Sequence, residues 1–131
     1  MAKLAQPAEF VGWWEIDFYL QDGKSVEFGD VIERIDPDGR YEVFRDGKSI
    51  SRGQHVEFCS DPDGFTNTIE DEAGQLRGRQ LVIFRIGSDR LEVCKAAEEH
   101  GRPDRFHSPE GSPIVHSAVR RIAPDDPRIP R

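Results

Sequence analysis

Asp-Gly pairs recur along this chain, and each one separates short runs in which apolar and polar residues alternate. The pairs occupy positions 22–23, 38–39, 46–47 and 63–64, and two of them belong to Asp-Pro-Asp-Gly turns. Asp-Gly between such runs is a strong signal for a tight turn, because both residues tolerate the backbone angles that hairpins require. The sequence therefore predicts a chain of consecutive antiparallel strands.

Eight runs have strand-like patterning and are spaced about ten residues apart, and no helical stripe accompanies them. This spacing favours an antiparallel barrel or sandwich, and closure removes the sheet edges that invite aggregation. We predict an all-β fold, a small antiparallel up-and-down β-barrel of about eight strands. The predicted strands are 13–20, 31–36, 40–45, 50–59, 65–71, 80–86, 90–96 and 113–122.

The length of 131 residues fits one domain. We predict a single barrel domain over residues 1–122. Residues 97–112 form the one long irregular stretch. Residues 123–131 carry three prolines and no core pattern, so they are predicted to be a mobile Pro-rich tail.

Charge and hydropathy exclude several classes of partner. The net charge is −7, which argues against binding of nucleic acid, since a basic face is needed to neutralise the phosphates. No apolar run approaches the roughly 20 residues that span a bilayer, so no membrane insertion is expected. The first seven residues lack the apolar region of a secretory signal, and this favours a cytoplasmic location.

The sequence carries no cofactor or metal motif. Cys59 and Cys94 have no metal-ligand spacing and are expected to be free thiols, as in a reducing cytosol. The four histidines lack ligand spacing as well, and no Gly-rich phosphate loop is present. We therefore expect no metal and no cofactor.

Several motifs follow one another in the order found in a known family. Gly12-Trp13-Trp14 has the G-x-W form of the first lipocalin strand, and Arg120-Arg121 resembles the arginine that packs across that tryptophan. The runs 83–94, 102–106 and 111–112 resemble later motifs of an uncharacterised bacterial lipocalin-like (calycin-type) domain family, common in planctomycete proteins. The resemblance implies a lipocalin-like barrel closed by Gly12, Trp14 and Arg121. It implies little about activity.

Alternate side chains of a barrel strand face inward, and this selects candidate ligand-binding residues. On the first strand we place Trp14, Ile16, Phe18 and Leu20 inside. Aromatic side chains either line a cavity or fill it, with Trp14 as a plug at one end. Phe106 is either a lid over the mouth or an anchor of the long loop. The candidate ligand-binding residues are Trp14, Phe18, Tyr41, Phe84 and Phe106.

His55, Glu57 and His116 are the candidate catalytic residues. If both histidines pointed inward near a carboxylate, the cavity would hold an acid–base pair suited to proton abstraction. The alternative, which we favour, places His55 and Glu57 toward solvent, because Val56 and Phe58 are the apolar pair of that strand.

Three functions remain open from the sequence. The first is the binding of a small, mostly hydrophobic molecule inside the barrel. The second is a small biosynthetic cyclase or isomerase that uses His and carboxylate groups. The third is a filled-core structural or interaction module, with a homodimer as one form of it.

Overall fold

The computed structural model describes residues 5–130, so the ends of the predicted domain and tail, residues 1–4 and 131, lie outside the described residues. Two short 3-10 helices are present, η1 (Ala8–Phe10) and η2 (Glu98–His100). The strands are β1 (Gly12–Gln21), β2 (Lys24–Ser25), β3 (Val31–Ile35), β4 (Arg40–Arg45), β5 (Lys48–Cys59), β6 (Gly64–Glu70), β7 (Leu76–Ile86), β8 (Arg90–Ala97) and β9 (Val115–Arg121).

The strands form one closed antiparallel barrel. Strands β3 to β9 follow one another in sequence order, and β1 pairs with both β3 and β9, which closes a ring of eight. The two-residue strand β2 pairs only with the end of β1. The prediction of an all-β, lipocalin-like barrel is confirmed.

Aromatic side chains fill one end of the barrel, which we call the closed end. Helix η1 places Phe10 there, fully buried, with its ring centroid 4.9 Å from that of Phe84. The indole N–H of Trp14 donates to the Phe10 carbonyl oxygen at 3.0 Å. The guanidinium carbon of Arg121 lies 4.2 Å from the Trp14 ring centroid. These contacts cover the closed end.

Gly12 makes room for the arginine at the closed end. A Cβ on Gly12 would lie 2.6 Å from the Arg121 Nη1 atom, and its φ of +140° is one that other residues rarely adopt. The same Nη1 atom donates to the carbonyl oxygen of Val11 at 2.8 Å. The structure thus brings together Gly12, Trp14 and Arg121, the three residues of the expected closure.

Two β-bulges change which side chains face inward. In β1 the register shifts between Ile16 and Phe18, so Tyr19 rather than Phe18 reaches the interior. In β5 it shifts between Val56 and Cys59, where Glu57 has a φ of +55°. An extra residue in one strand reverses the alternation beyond it. The prediction that Phe18 faces inward is therefore wrong.

The C-terminal segment carries a core residue that its composition does not indicate. Ile129 is buried in a cluster with Ile32, Phe44 and Ile122, on the outer surface beside Trp13. The Arg128 guanidinium donates to the Glu15 carboxylate of β1 at 2.9 Å. Ile129 therefore attaches this segment to the barrel, although the segment has no core pattern in its sequence.

The long loop between β8 and β9 lies along the outside of the barrel. Phe106 packs against an outer cluster that includes Ile83, Cys94 and Ile114. Arg102 of this loop donates to the carbonyl oxygens of Phe65 and Val82. Phe106 therefore anchors the loop and does not cover the barrel.

Both cysteines, Cys59 and Cys94, are free.

Candidate functional site

The barrel encloses a cavity of about 330 Å³ between the closed end and the opposite mouth. Most of its apolar walls are inward side chains of the strands, and Phe28 comes from the segment between β2 and β3. They are Ile16, Phe28, Val31, Ile35, Val43, Ile50, Phe65, Ile69, Val82, Leu91, Val93, Ala118 and Val119.

Nine polar side chains also line the cavity. They are Tyr19, Glu33, Tyr41, Ser51, His55, Asn67, Gln80, Lys95 and Ser117. A mostly apolar cavity with a few polar groups is typical of small-molecule sites. Two members of this set, Glu33 and Lys95, ionise with opposite signs.

Glu33 is an inward residue of β3. It pairs with Trp14 of β1 and Val43 of β4, and it is half-buried. Removal from water disfavours the charged form, so burial raises the pKa of Glu33 to about 7, while the charge of Lys95 lowers it in part. At neutral pH this carboxyl group is therefore close to half protonated.

Lys95 enters the same cavity from β8. Around the ring, β3 and β8 are separated by β1 and β9, so Glu33 and Lys95 come from nearly opposite walls. The Lys95 ammonium lies 5.6 Å from the Tyr19 ring centroid, a cation–π distance. No direct ion pair joins Lys95 to Glu33. The two groups therefore lie beyond ion-pair distance of each other on the walls of one cavity.

His55 lies inside the barrel, contrary to the prediction that it faces solvent. Its ring stacks on Tyr41 with centroids 5.0 Å apart, and its Nδ1 lies 3.2 Å from Gln6 Oε1. The Gln6 amide N–H donates to the Asp36 carbonyl oxygen, so Oε1 is the acceptor and His55 Nδ1 carries the proton. Burial, together with the nearby charge of Lys95, lowers the pKa of His55 to about 3. His55 is a neutral ring.

Tyr41 is held by a hydrogen bond that depends on a glycine. Its hydroxyl donates to the Thr68 carbonyl oxygen at 2.7 Å across the position where Gly53 has no side chain. A Cβ on Gly53 would lie 1.8 Å from that oxygen and 2.7 Å from the hydroxyl. Burial, and then the nearby charge of Glu33, raises the pKa of Tyr41. Tyr41 is therefore a fixed, neutral wall of the cavity.

The structure separates the three candidate catalytic residues. His55 alone lies in the cavity. Glu57, on the bulge of β5, is exposed and forms an ion pair with Arg79. His116 faces outward on β9, where its Nε2 lies 2.6 Å from a Glu92 carboxylate oxygen. The proposed acid–base set of His55, Glu57 and His116 does not share one site.

The candidate ligand-binding residues are also divided. Tyr41 lines the cavity, whereas Trp14 and Phe84 fill the closed end. Phe18 and Phe106 lie outside the barrel against the His116 ring, at centroid distances of 5.0 and 5.9 Å. Of these five residues, only Tyr41 reaches the cavity.

Glu33 and Lys95 were missed, although the sequence contains a signal for both. In the run 31–35, Val31 and Ile35 are apolar at spacing four, and strict alternation places Glu33 on their face. The run 91–95 has the same form, with Leu91 and Val93 before Lys95. A charged residue in the apolar phase of a strand is the feature that identifies them.

Comparisons with known proteins add no relative. No family model, curated protein or solved structure matches the chain. Among residues 5–130 no helix is long and apolar enough to cross a membrane. The same part of the chain holds no group of three His, Cys, Asp or Glu side chains that could bind a metal ion.

Proposed function

We propose that this protein binds a small, mostly hydrophobic molecule inside the barrel. The observation that carries the proposal is the cavity of about 330 Å³ with predominantly apolar walls. This volume is near the lower end of the roughly 300–1,000 Å³ typical of ligand pockets, so the ligand is small. A filled-core module would leave no such space.

The polar groups of the cavity would orient the ligand. The Lys95 ammonium offers a donor to a ligand oxygen, and the Glu33 carboxyl, on the opposite wall, offers an acceptor or a donor according to its protonation. Asn67 Oδ1 is buried without a hydrogen-bond partner, although its amide N–H donates to Gln80. A ligand with one polar end suits this arrangement.

The family membership is also a proposal. The motifs at Gly12, Trp14 and Arg121 resemble the lipocalin-like (calycin-type) bacterial family, and the contact between Trp14 and Arg121 supports it. A cytoplasmic location stays a prediction.

A binding experiment with two probes tests the function. Tetralin and α-tetralone are compact bicyclic molecules that differ by one carbonyl group. Two-dimensional NMR should show shifts at Val43, Val93 and Ser117, which line different walls of the cavity. Thermal unfolding should move to higher temperature, because a ligand selective for the folded state stabilises it.

Two tryptophan variants, one inside the cavity and one outside it, provide a matched test. Val93→Trp places an indole in the cavity and should abolish binding of both probes. Leu76→Trp adds the same group at an exposed position and should leave binding unchanged, since Leu76 lies outside the cavity. Equal binding by the two variants, or no binding of either probe to the unmodified protein, would contradict the proposal.

A further inference from the structure

We propose that Glu33 and Lys95 form an acid–base site that removes and returns a proton at the carbon next to the carbonyl group of a small, mostly apolar ketone. This inference rests on the proposed binding function and adds a reaction to it. It begins from the placement of the two charged side chains, which the candidate set of His55, Glu57 and His116 does not include.

The geometry leaves room for a substrate between the two charges. Glu33 and Lys95 line one cavity from strands that are three steps apart in a ring of eight. Neighbouring strands are about 4.8 Å apart, so such walls face each other across the barrel. The two groups form no direct ion pair, and each remains available to a molecule in the cavity.

Two other titratable groups in the cavity, Tyr41 and His55, are held by hydrogen bonds to other parts of the protein. The titratable side chains that line it are Tyr19, Glu33, Tyr41, His55 and Lys95. The Tyr41 hydroxyl donates to a backbone carbonyl, and His55 donates to Gln6 and stays neutral. Glu33 is the carboxyl group among them, and its pKa of about 7 suits proton transfer at neutral pH.

The proton transfer is balanced within the site. The Glu33 carboxylate takes a proton from the carbon beside the carbonyl. The electron pair of that C–H bond forms a C=C bond, and the carbonyl π pair moves to oxygen, giving an enolate. The proton then returns from Glu33 to the same carbon, or to a conjugated one, which shifts a double bond. No other reactant is needed.

The electrostatics of the site favour the transfer of negative charge from Glu33 to the enolate oxygen. In the resting site the negative charge sits on Glu33, where burial disfavours it. In the enolate it sits on an oxygen that can face the Lys95 ammonium. A cation placed where negative charge develops stabilises the transition state. Glu33 therefore acts as the base and Lys95 as the group that receives the oxygen.

Deuterium exchange into α-tetralone provides the assay. The protein is incubated with the ketone in heavy water, and loss of the proton signal beside the carbonyl is followed by NMR. We expect exchange on the order of 100-fold faster than in buffer alone, which is typical of general base catalysis. The rate should rise with pH through neutrality and then level off, as Glu33 loses its proton.

Variants assign the two roles. Glu33→Gln keeps the size of the side chain and should reduce exchange to the buffer rate. Lys95→Met should reduce it at least tenfold, whereas Lys95→Arg, which keeps the cation, should restore part of it. Glu27→Gln and Lys48→Met change exposed residues and should leave the rate unaltered.

Binding of the probes separates the two proposals. Tetralin should bind Glu33→Gln as it binds the unmodified protein, which shows that the variant is folded and its cavity open. Binding of α-tetralone in the cavity with exchange at the buffer rate would overturn the acid–base site alone. Unchanged exchange in Glu33→Gln would do the same. Failure of both probes to bind would overturn the binding function as well.

Discussion

Replacement of Glu33 by Gln should make the stability of the protein less sensitive to alkaline pH. The folded protein holds the pKa of Glu33 at about 7, against an ordinary value of 4.5. Between these values the folded state binds more protons than the unfolded state, so the free energy of unfolding falls as pH rises. Below pH 4.5 the effect is absent, and above pH 7 it is complete. Glutamine does not titrate and removes this dependence.

The size of the effect follows from the shift. One pKa unit corresponds to about 1.4 kcal/mol, so a shift from 4.5 to about 7 costs the folded state about 3 kcal/mol at high pH. Most of this change, about 2–3 kcal/mol, falls between pH 5 and pH 8. The variant should therefore gain that much relative to the unmodified protein over this interval.

Urea denaturation of both proteins at pH 5 and pH 8 measures the effect. The informative quantity is the difference in free energy of unfolding between variant and unmodified protein at each pH, since other titrating groups cancel in it. Glu27→Gln, on the exposed loop after β2, is the control, and its difference from the unmodified protein should not increase between pH 5 and pH 8. A difference for Glu33→Gln that is the same at both pH values would refute the account of Glu33 as a carboxyl whose charged form is disfavoured by burial.

Three further predictions concern the walls of the cavity and the outer surface of the barrel. Gly53→Ala should destabilise the protein by about 3 kcal/mol or more, measured by urea denaturation, because the added carbon overlaps the Thr68 carbonyl oxygen; a loss below 1 kcal/mol would contradict it. Ile129→Ala should cost about 2 kcal/mol in the same assay, as for a buried isoleucine at the edge of a core, and an unchanged midpoint would show that the C-terminal segment does not contribute. The folded state keeps His55 neutral with a pKa of about 3, so as pH falls below 6.5 the unfolded state binds a proton that the folded state does not. The free energy of unfolding should therefore fall by about 2 kcal/mol between pH 7 and pH 5, relative to that of His55→Phe. Thermal unfolding at the two pH values checks this, and a constant difference would argue against burial as the cause.

The sequence predicts the fold well because its signals are local. Asp-Gly turns and strict alternation, as in the run 40–45, define strands whose bounds differ from the structure by few residues. The terminal motifs at Trp14 and Arg121 correctly place the first and last strands together. Each of these signals is contained in a few neighbouring residues, so tertiary packing does not override it.

The candidate site was harder to predict for two physical reasons. A bulge inserts one residue and reverses the inward face, and nothing in the sequence marks the bulges at Asp17 and Glu57. Strict alternation therefore predicts Phe18 inside and His55 outside, and the structure has the reverse. Glu33 and Lys95 are absent from the predicted site residues, although their apolar neighbours at spacing two indicate an inward face.

The C-terminal contact shows a different limit. Ile129 lies among prolines and charges, and an isolated apolar residue has no periodicity from which burial can be inferred. Its partners, Ile32 and Phe44, are far away in sequence. Only the folded arrangement reveals such a contact.

Because β1 and β9 pair with each other, the barrel is completed by its first and last strands. Arg121 donates a hydrogen bond to Val11 across 110 positions, so a ribosome must release every strand of the barrel before this seam can form. Until then the growing chain presents two unpaired strand edges and an open apolar interior, which are exposed to aggregation. Non-local pairing of this kind slows folding, so the protein should depend on chaperones during synthesis more than its size suggests.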